Sequence, residues 1–237
     1  MKYFCVHEKV FSVVPDYCVG IVVAQLPPGA SCKRNVLSSA CDDAVRLLQA
    51  TGCSVKEYGP VEVWREAFRK VGINPGKFPS SIEALLHRVM KGNAPPSITP
   101  PVDLANSVAL RFAVPVGVHD IDSITGDLEV RFSRPGESFV PFGADIPEEV
   151  PEGELVYADE AGVRTRRWVW RQGERSKVSA GATHIFCPVD GFLGHTGHLV
   201  MAARDELARL FREELGAQTR VDLVRAGSPK VLLETGI

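Results

Sequence analysis

Residues 102–143 read VDLANSVALRFAVPVGVHDIDSITGDLEVRFSRPGESFVPFG, and the hydrophobic period changes within that stretch. Val102, Leu104, Val108, Leu110 and Phe112 recur at helical spacing, with Asp103 near the N-terminus, where a negative charge is favoured by the exposed N–H groups. Pro115 and Gly117 stop that helix and lead into a tight polar loop, Val118-His119-Asp120-Ile121-Asp122. Thr125-Gly126-Asp127 then turns the chain into a strand alternating at Leu128, Val130 and Phe132, which ends at Arg134-Pro135-Gly136-Glu137.

On the N-terminal side, two β-rich runs at 10–14 and 18–24 are separated by Pro15-Asp16, which predicts a hairpin or two neighbouring strands. Helices follow at 35–50, closed by Gly52, and at 60–71, closed by Gly72. A third spans 82–91, for which Ser80 or Ser81 is a suitable N-cap. The proline-rich segment 93–101 is extended and feeds the central helix.

On the C-terminal side, the acidic run 145–154 reads as a solvated loop. Strands are expected at 155–158, 163–172 and 182–189, then a long helix at 198–215, then strands at 219–224 and 230–234. Strands and helices mix without a strict βα alternation. The expected class is therefore α+β, with mixed or antiparallel sheets and packed helices, in a single domain over 1–237.

Composition bounds the function. A chain of 237 residues can bury a sizeable core, and 45% hydrophobic with 24% charged residues excludes disorder. No apolar run reaches the ~20 residues a membrane span needs, and His7, Glu8 and Lys9 break the first apolar stretch, so neither a span nor a signal peptide is expected. Six cysteines without a C-x-x-C pair read as reduced thiols of a cytoplasmic protein. A net charge of −2 means that any RNA contact has to come from a local basic patch.

Several residue groups could carry chemistry. If 163–172, VRTRRWVWRQ, is one strand, Arg164, Arg166, Trp168, Trp170 and Gln172 share a face, with Arg167, Val169 and Arg171 on the other. Guanidinium groups beside indoles suit phosphates and unstacked bases; a structural cation–π ladder explains the same pattern. His119, exposed beside Asp120 and Asp122, could hold a tuned pKa and position a water, although aspartates in turns often only satisfy backbone N–H groups. Arg131 and Glu137 flank the next turn, where an ion pair between neighbouring strands accounts for them equally well. Asn106 puts an amide inside an apolar helix and needs a partner, either a core carbonyl or a substrate.

His184, Cys187, His195 and His198 have a spacing that superficially suits zinc, but residues three apart on a strand point to opposite faces, so no metal is expected. Gly191, Gly194 and Gly197 precede a helix without forming a dinucleotide fingerprint, and no Walker A motif or nucleophile elbow is present. No cofactor is expected, nucleotide or otherwise.

The order V-D-x-x-N, short apolar helix, Pro/Gly loop with His and Asp, D-x-I-x-G, V-R, G-E and G, followed by GERSKVSAGATHIF at 173–186, resembles the editing and tRNA-binding domain of the phenylalanyl-tRNA synthetase β-subunit. The resemblance covers residues 61–192, and the flanks resemble those of free-standing versions of the domain. It implies a partner, the 3′ acceptor end of tRNA, and a reaction, hydrolysis of the ester of a mischarged tRNA. That ester is already labile, so orienting a water and stabilising the oxyanion suffice.

On this reading His119 positions water with Asp120 beside it, and Asn106, Arg131 and Glu137 hold the substrate. Arg164, Arg166, Trp168, Trp170, Arg171 and Gln172 grip the 3′ end. The family's Asn matches Asn106, but its Thr is Ala105 here, and its loop histidine falls at Gly117, two residues before His119. Its small Ala-Gly pair falls on Trp168-Val169, and the Glu that recognises the tyrosine hydroxyl falls near Pro188. The resemblance thus implies the scaffold without the aromatic specificity. A non-catalytic RNA-binding module, and a small-molecule hydrolase or amino-acid-binding protein on the same scaffold, are the alternatives.

Overall fold

A computed structural model describes residues 1–32 and 35–234. In chain order the elements are β1 (Tyr3–Val6), α1 (Glu8–Val13), β2 (Tyr17–Gln25), α2 (Val36–Thr51), α3 (Gly59–Lys70), α4 (Ser81–Met90) and α5 (Pro100–Phe112). Then come β3 (His119–Asp120), β4 (Leu128–Phe132), β5 (Ser138–Phe139), β6 (Glu148–Glu149), β7 (Leu155–Asp159), β8 (Gly162–Arg166) and β9 (Arg171–Gln172). The chain closes with β10 (His184–Phe192), α6 (Gly197–Leu215), β11 (Gln218–Val224) and β12 (Lys230–Leu232).

Local chemistry sets the helix ends. Asn35 accepts from the Ser38 N–H at 3.2 Å to start α2, and Gly52 closes it in the left-handed region at φ 67°. Ser80 caps α4 through the Glu83 N–H. Helix α5 stops before its proline: Ala113 takes a left-handed conformation, φ 53°, that ends the helix two residues ahead of Pro115.

The strands form a six-stranded sheet, β12-β1-β4-β7-β8-β9, and a four-stranded sheet, β11-β2-β10-β3, with β5 and β6 as a separate pair. All pairings are antiparallel except β1 with β4. The fold is α+β. The two sheets meet across a common core in which Phe4, Val130 and Tyr157 of the larger sheet pack with Ile21, Val23 and Phe186 of the smaller. The rings of Phe4 and Phe186 lie 4.9 Å apart. The other side of the smaller sheet, through Val22, Cys187 and Val189, packs with Leu104 and Val108 of α5 and Val200, Leu207 and Phe211 of α6. Strands β2 and β10 are buried on both faces, which is why they read as continuous apolar runs. Each fully buried large apolar side chain contributes roughly 1.5–3 kcal/mol.

Two expectations are corrected here. The run at 10–14 is not a strand. His7 Nδ1 accepts from the Lys9 N–H and starts α1, whose Val10 faces the core while Val13 faces out; packing of one helical face overrides the β-propensity of the valines. The short strand β1 was hidden in the same N-terminal segment and fills the gap between β12 and β4. Nor is 163–172 one strand: Arg167 and Trp168 both have positive φ, 48° and 63°, and fold the segment into a hairpin between β8 and β9.

Candidate functional site

The segment after α5 is laid onto β10 by backbone hydrogen bonds. The Asp190 N–H donates to Pro115 O, the Gly117 N–H donates to Pro188 O, and β3 then pairs His119 with Phe186. His119 is therefore not an exposed loop residue. It is 1% exposed, with its ring near-parallel to that of Tyr157 at 6.0 Å between centroids. Burial and the repulsion of the Arg164 guanidinium lower its pKa to about 3, against a weaker upward pull from Asp159, so the imidazole is neutral at physiological pH. Nε2 lies 3.3 Å from the Gln172 side-chain nitrogen and accepts from it when the ring proton sits on Nδ1.

The hairpin turn at 167–170 supplies the opposite wall. Its shape has specific causes: the Trp168 N–H donates to Leu155 O, and the Arg167 N–H donates to the Glu154 carboxylate. Trp168 turns inward and is fully buried against Trp64, Tyr17, Phe68 and Phe192. Trp170 stays at the surface edge, T-shaped to Phe78 at 4.9 Å. The Arg167 guanidinium covers Phe78 at 3.7 Å and Trp170 at 4.7 Å, and Arg171 approaches Trp170 at 5.9 Å.

Between these walls is a cavity of about 300 Å³. Asn106, His119, Trp168, Trp170, Arg171 and Gln172, separated by up to 66 positions in the chain, all line it. Asn106 is half-buried on α5, and among the described residues none hydrogen-bonds its side-chain amide. At the floor is Asp190, 2% exposed, whose Oδ1 accepts from both the Tyr17 and the Tyr157 hydroxyls. Burial pushes its carboxyl pKa up to about 7, although the two phenol donors favour the ionised form. Both tyrosine pKa values are raised, by burial first and then by the carboxylate, so both stay neutral donors.

The remaining candidate residues lie elsewhere. Asp120 does not line the cavity; its Oδ1 accepts from the Asp122 N–H, closing a turn. Arg131 and Glu137 form a two-pronged ion pair at 2.5 and 2.9 Å, the alternative their spacing had allowed. Arg164 is fully buried and donates to Asp159, to Ser123 O and to Arg175 O. Arg166 forks onto Glu154 and also reaches Glu148. The expected face of arginines and tryptophans does not form. The hairpin splits it: Arg164 and Arg166 stay in β8 holding carboxylates, and the tryptophans and arginine that reach the cavity come from the turn and β9. His184 pairs with Asp122 rather than with Cys187, which is buried.

Gly117, Trp168, Val169 and Pro188, where the resemblance places the family's histidine, small pair and glutamate, also line this cavity. A Cβ on Gly117 would stand 3.4 Å from His119 Nε2 and 3.6 Å from Gln172 Nε2, so the imidazole of His119 fills the space beside that position. Asp190, Tyr17, Tyr157 and Thr165 were missed from sequence. Asp190 had a signal: it is the one carboxylate in the otherwise apolar run IFCPVDGF.

Residues 63–213 match the family model of the B3/4 domain. A phenylalanine–tRNA ligase β-subunit from Idiomarina loihiensis is 33% identical over 90 residues, which are 38% of this chain and 11% of that protein. The corresponding subunit from Mycobacterium leprae is 48% identical over 44 residues, 19% of this chain and 5% of its own length. The matched stretches thus span a small part of those relatives. A crystal structure of an N-terminal fragment of the phenylalanyl-tRNA synthetase β-subunit from Pyrococcus horikoshii covers 92% of this chain and 50% of its own, with a TM-score of 0.49 and 14% identity. Among the described residues, no helix is long and apolar enough to cross a membrane.

Proposed function

The chain belongs to the B3/4 domain family, and on that premise we propose that it binds tRNA or aminoacyl-tRNA and hydrolyses, in trans, the ester of a mischarged tRNA. The observation that carries the reading is the convergence of Asn106, His119 and Gln172 on one cavity whose mouth holds Arg171 and Trp170. The acceptor end would lie over the mouth, with its terminal base against Trp170 and its phosphates near Arg171 and Arg167. The aminoacyl group would enter between Trp168 and Pro188.

Inside, the Asn106 amide, to which no described residue hydrogen-bonds, is suited to donate to the ester carbonyl as charge develops on its oxygen. The Gln172 side chain, held by Val118 O and His119, is suited to orient the attacking water. No covalent nucleophile is needed, because the ester is labile and placement is most of the work. With Trp168-Val169 at the small pair and Pro188 at the glutamate, the substrate is not the tyrosyl ester.

A second reading, binding without turnover, is favoured by one observation: His119 is buried, and its Nε2 faces the Gln172 side-chain nitrogen, so the imidazole is already engaged. Deacylation of a panel of correctly charged and mischarged tRNAs, by the wild type and by Asn106→Ala, separates the two. Selective hydrolysis that falls in the variant establishes the deacylase. Salt-dependent tRNA binding with every ester left intact leaves the binding module, and absence of both directs attention to small molecules.

A further inference from the structure

Asp190 and Arg171 are the two ends of a charge gradient along the cavity. Among the described residues that line it, they are the only carboxylate and the only permanent cation. Arg171 is exposed at the mouth, while Asp190 is buried at the floor. The buried Arg164 is committed to Asp159, Ser123 and Arg175, and among the described residues no cation forms an ion pair with Asp190.

The donors around Asp190 are unevenly spent. The Tyr17 and Tyr157 hydroxyls both donate to Oδ1, and Oδ2 receives no hydrogen bond from the described residues. The Thr165 hydroxyl, also in the cavity lining, is buried without a partner. Apolar surface from Trp168, Val169 and Pro188 surrounds this polar floor. A carboxylate oxygen with no donor among the described residues, in such a low-polarity place, is completed by a donor from within the cavity, and a cationic donor completes it best.

We propose that Asp190 anchors a protonated amine, so that the cavity takes ligands with an ammonium group at the buried end and an anionic part at Arg171. The proposal rests on reading this cavity as the ligand site, and it names the chemistry of what enters. An aminoacyl ester offers two sources of that chemistry: its α-ammonium group, or a basic side chain. Its phosphates lie at the other end, which matches the polarity of the cavity.

The test uses the full chain and three probes followed by NMR: L-leucinamide, N-acetyl-L-leucinamide and N-acetyl-L-lysinamide. Binding of leucinamide that is lost on acetylation supports the α-ammonium source. Retained binding of acetyl-lysinamide supports the side-chain source. In either case Asp190→Asn weakens the amine about tenfold or more, the scale of a charged hydrogen bond. In the wild type, the 13C signal of the Asp190 carboxyl shifts on adding the amine, which keeps the test independent of how the variant folds. Equal binding of leucinamide and its acetylated form, or no binding of any probe with no change at the Asp190 carboxyl, overturns the proposal. Amine binding without tRNA binding or deacylation would instead overturn the tRNA reading and leave the anchor standing. Deacylation without amine dependence would do the reverse.

Discussion

The hydroxyl of Tyr157, on the six-stranded sheet, donates to Asp190, on the four-stranded sheet, so one hydrogen bond closes the seam at the base of the cavity. Tyr17 completes the arrangement from β2, at 2.5 Å from the same oxygen. The carboxylate is thereby held rigid by neutral donors, and its charge is left for the cavity to balance.

That burial has a consequence for stability. An aspartate raised to about 7 in the folded protein binds its proton more tightly than in the unfolded chain, where the pKa is about 4. Its contribution therefore favours folding below pH 4 and is lost as pH rises from about 4 to 7. Asp190→Asn should remove this dependence: the stability difference between wild type and variant changes across pH 4–7 and is flat above it. Chemical denaturation at a series of pH values measures this. A constant difference would show that folding does not raise the Asp190 pKa.

His119 acts in the opposite direction. Its pKa falls to about 3, so between about pH 6.5 and 3 the unfolded chain takes up a proton that the folded chain refuses. Stability from the neutral ring is complete above 6.5 and is lost as pH falls towards 3. The imidazole nitrogen shifts of His119 should not titrate between pH 5 and 8, whereas a solvated histidine would titrate near 6.5. A midpoint in that range would place the ring in water.

The arginines divide into two kinds. Arg164→Ala removes the fully buried partner of Asp159, leaves that carboxylate only the more exposed Arg175, and should cost about 3 kcal/mol, read from the denaturation midpoint. Arg171→Ala, at an exposed position, should change stability by no more than about 0.5 kcal/mol. If the mouth meets phosphates, the same variant lowers tRNA affinity and reduces the salt slope by about one. Loss of stability in both variants would contradict this division.

Gly173 follows Gln172 where the chain passes under Val140. An added Cβ would meet Val140 O and the Phe139 ring at 2.5 Å, and the carbonyl cannot yield without shifting the backbone. Gly173→Ala should cost about 1–3 kcal/mol by overpacking and displace Gln172 from His119. Thermal unfolding reads the first effect, and an altered His119 resonance the second.

Much of the fold was legible because it rests on local signals. The cap at Ser80, the glycines at 52 and 72, and the helical period of α2 to α6 are properties of neighbouring residues. The failures occurred where a distant partner decided. Residues 163–172 alternate like a strand, yet the Leu155 carbonyl and the Glu154 carboxylate, received from β7 and the turn before it, bend them at Arg167 and Trp168. Residues 10–14 are rich in valine, yet the core accepts only one side of them.

The site divides along the same line. Sequence alone determined the α+β class, the helices α2 to α6, and which segments carry Asn106, His119, Trp170, Arg171 and Gln172, because period, capping and turn residues act over a few positions. Only the tertiary structure decided that these residues share a cavity, that Arg164 and Arg166 serve as internal counter-ions, and that Asp190 lies at its floor. Those outcomes depend on which surfaces pack together and which charges lose water, and both are fixed by residues 33 to 173 positions apart.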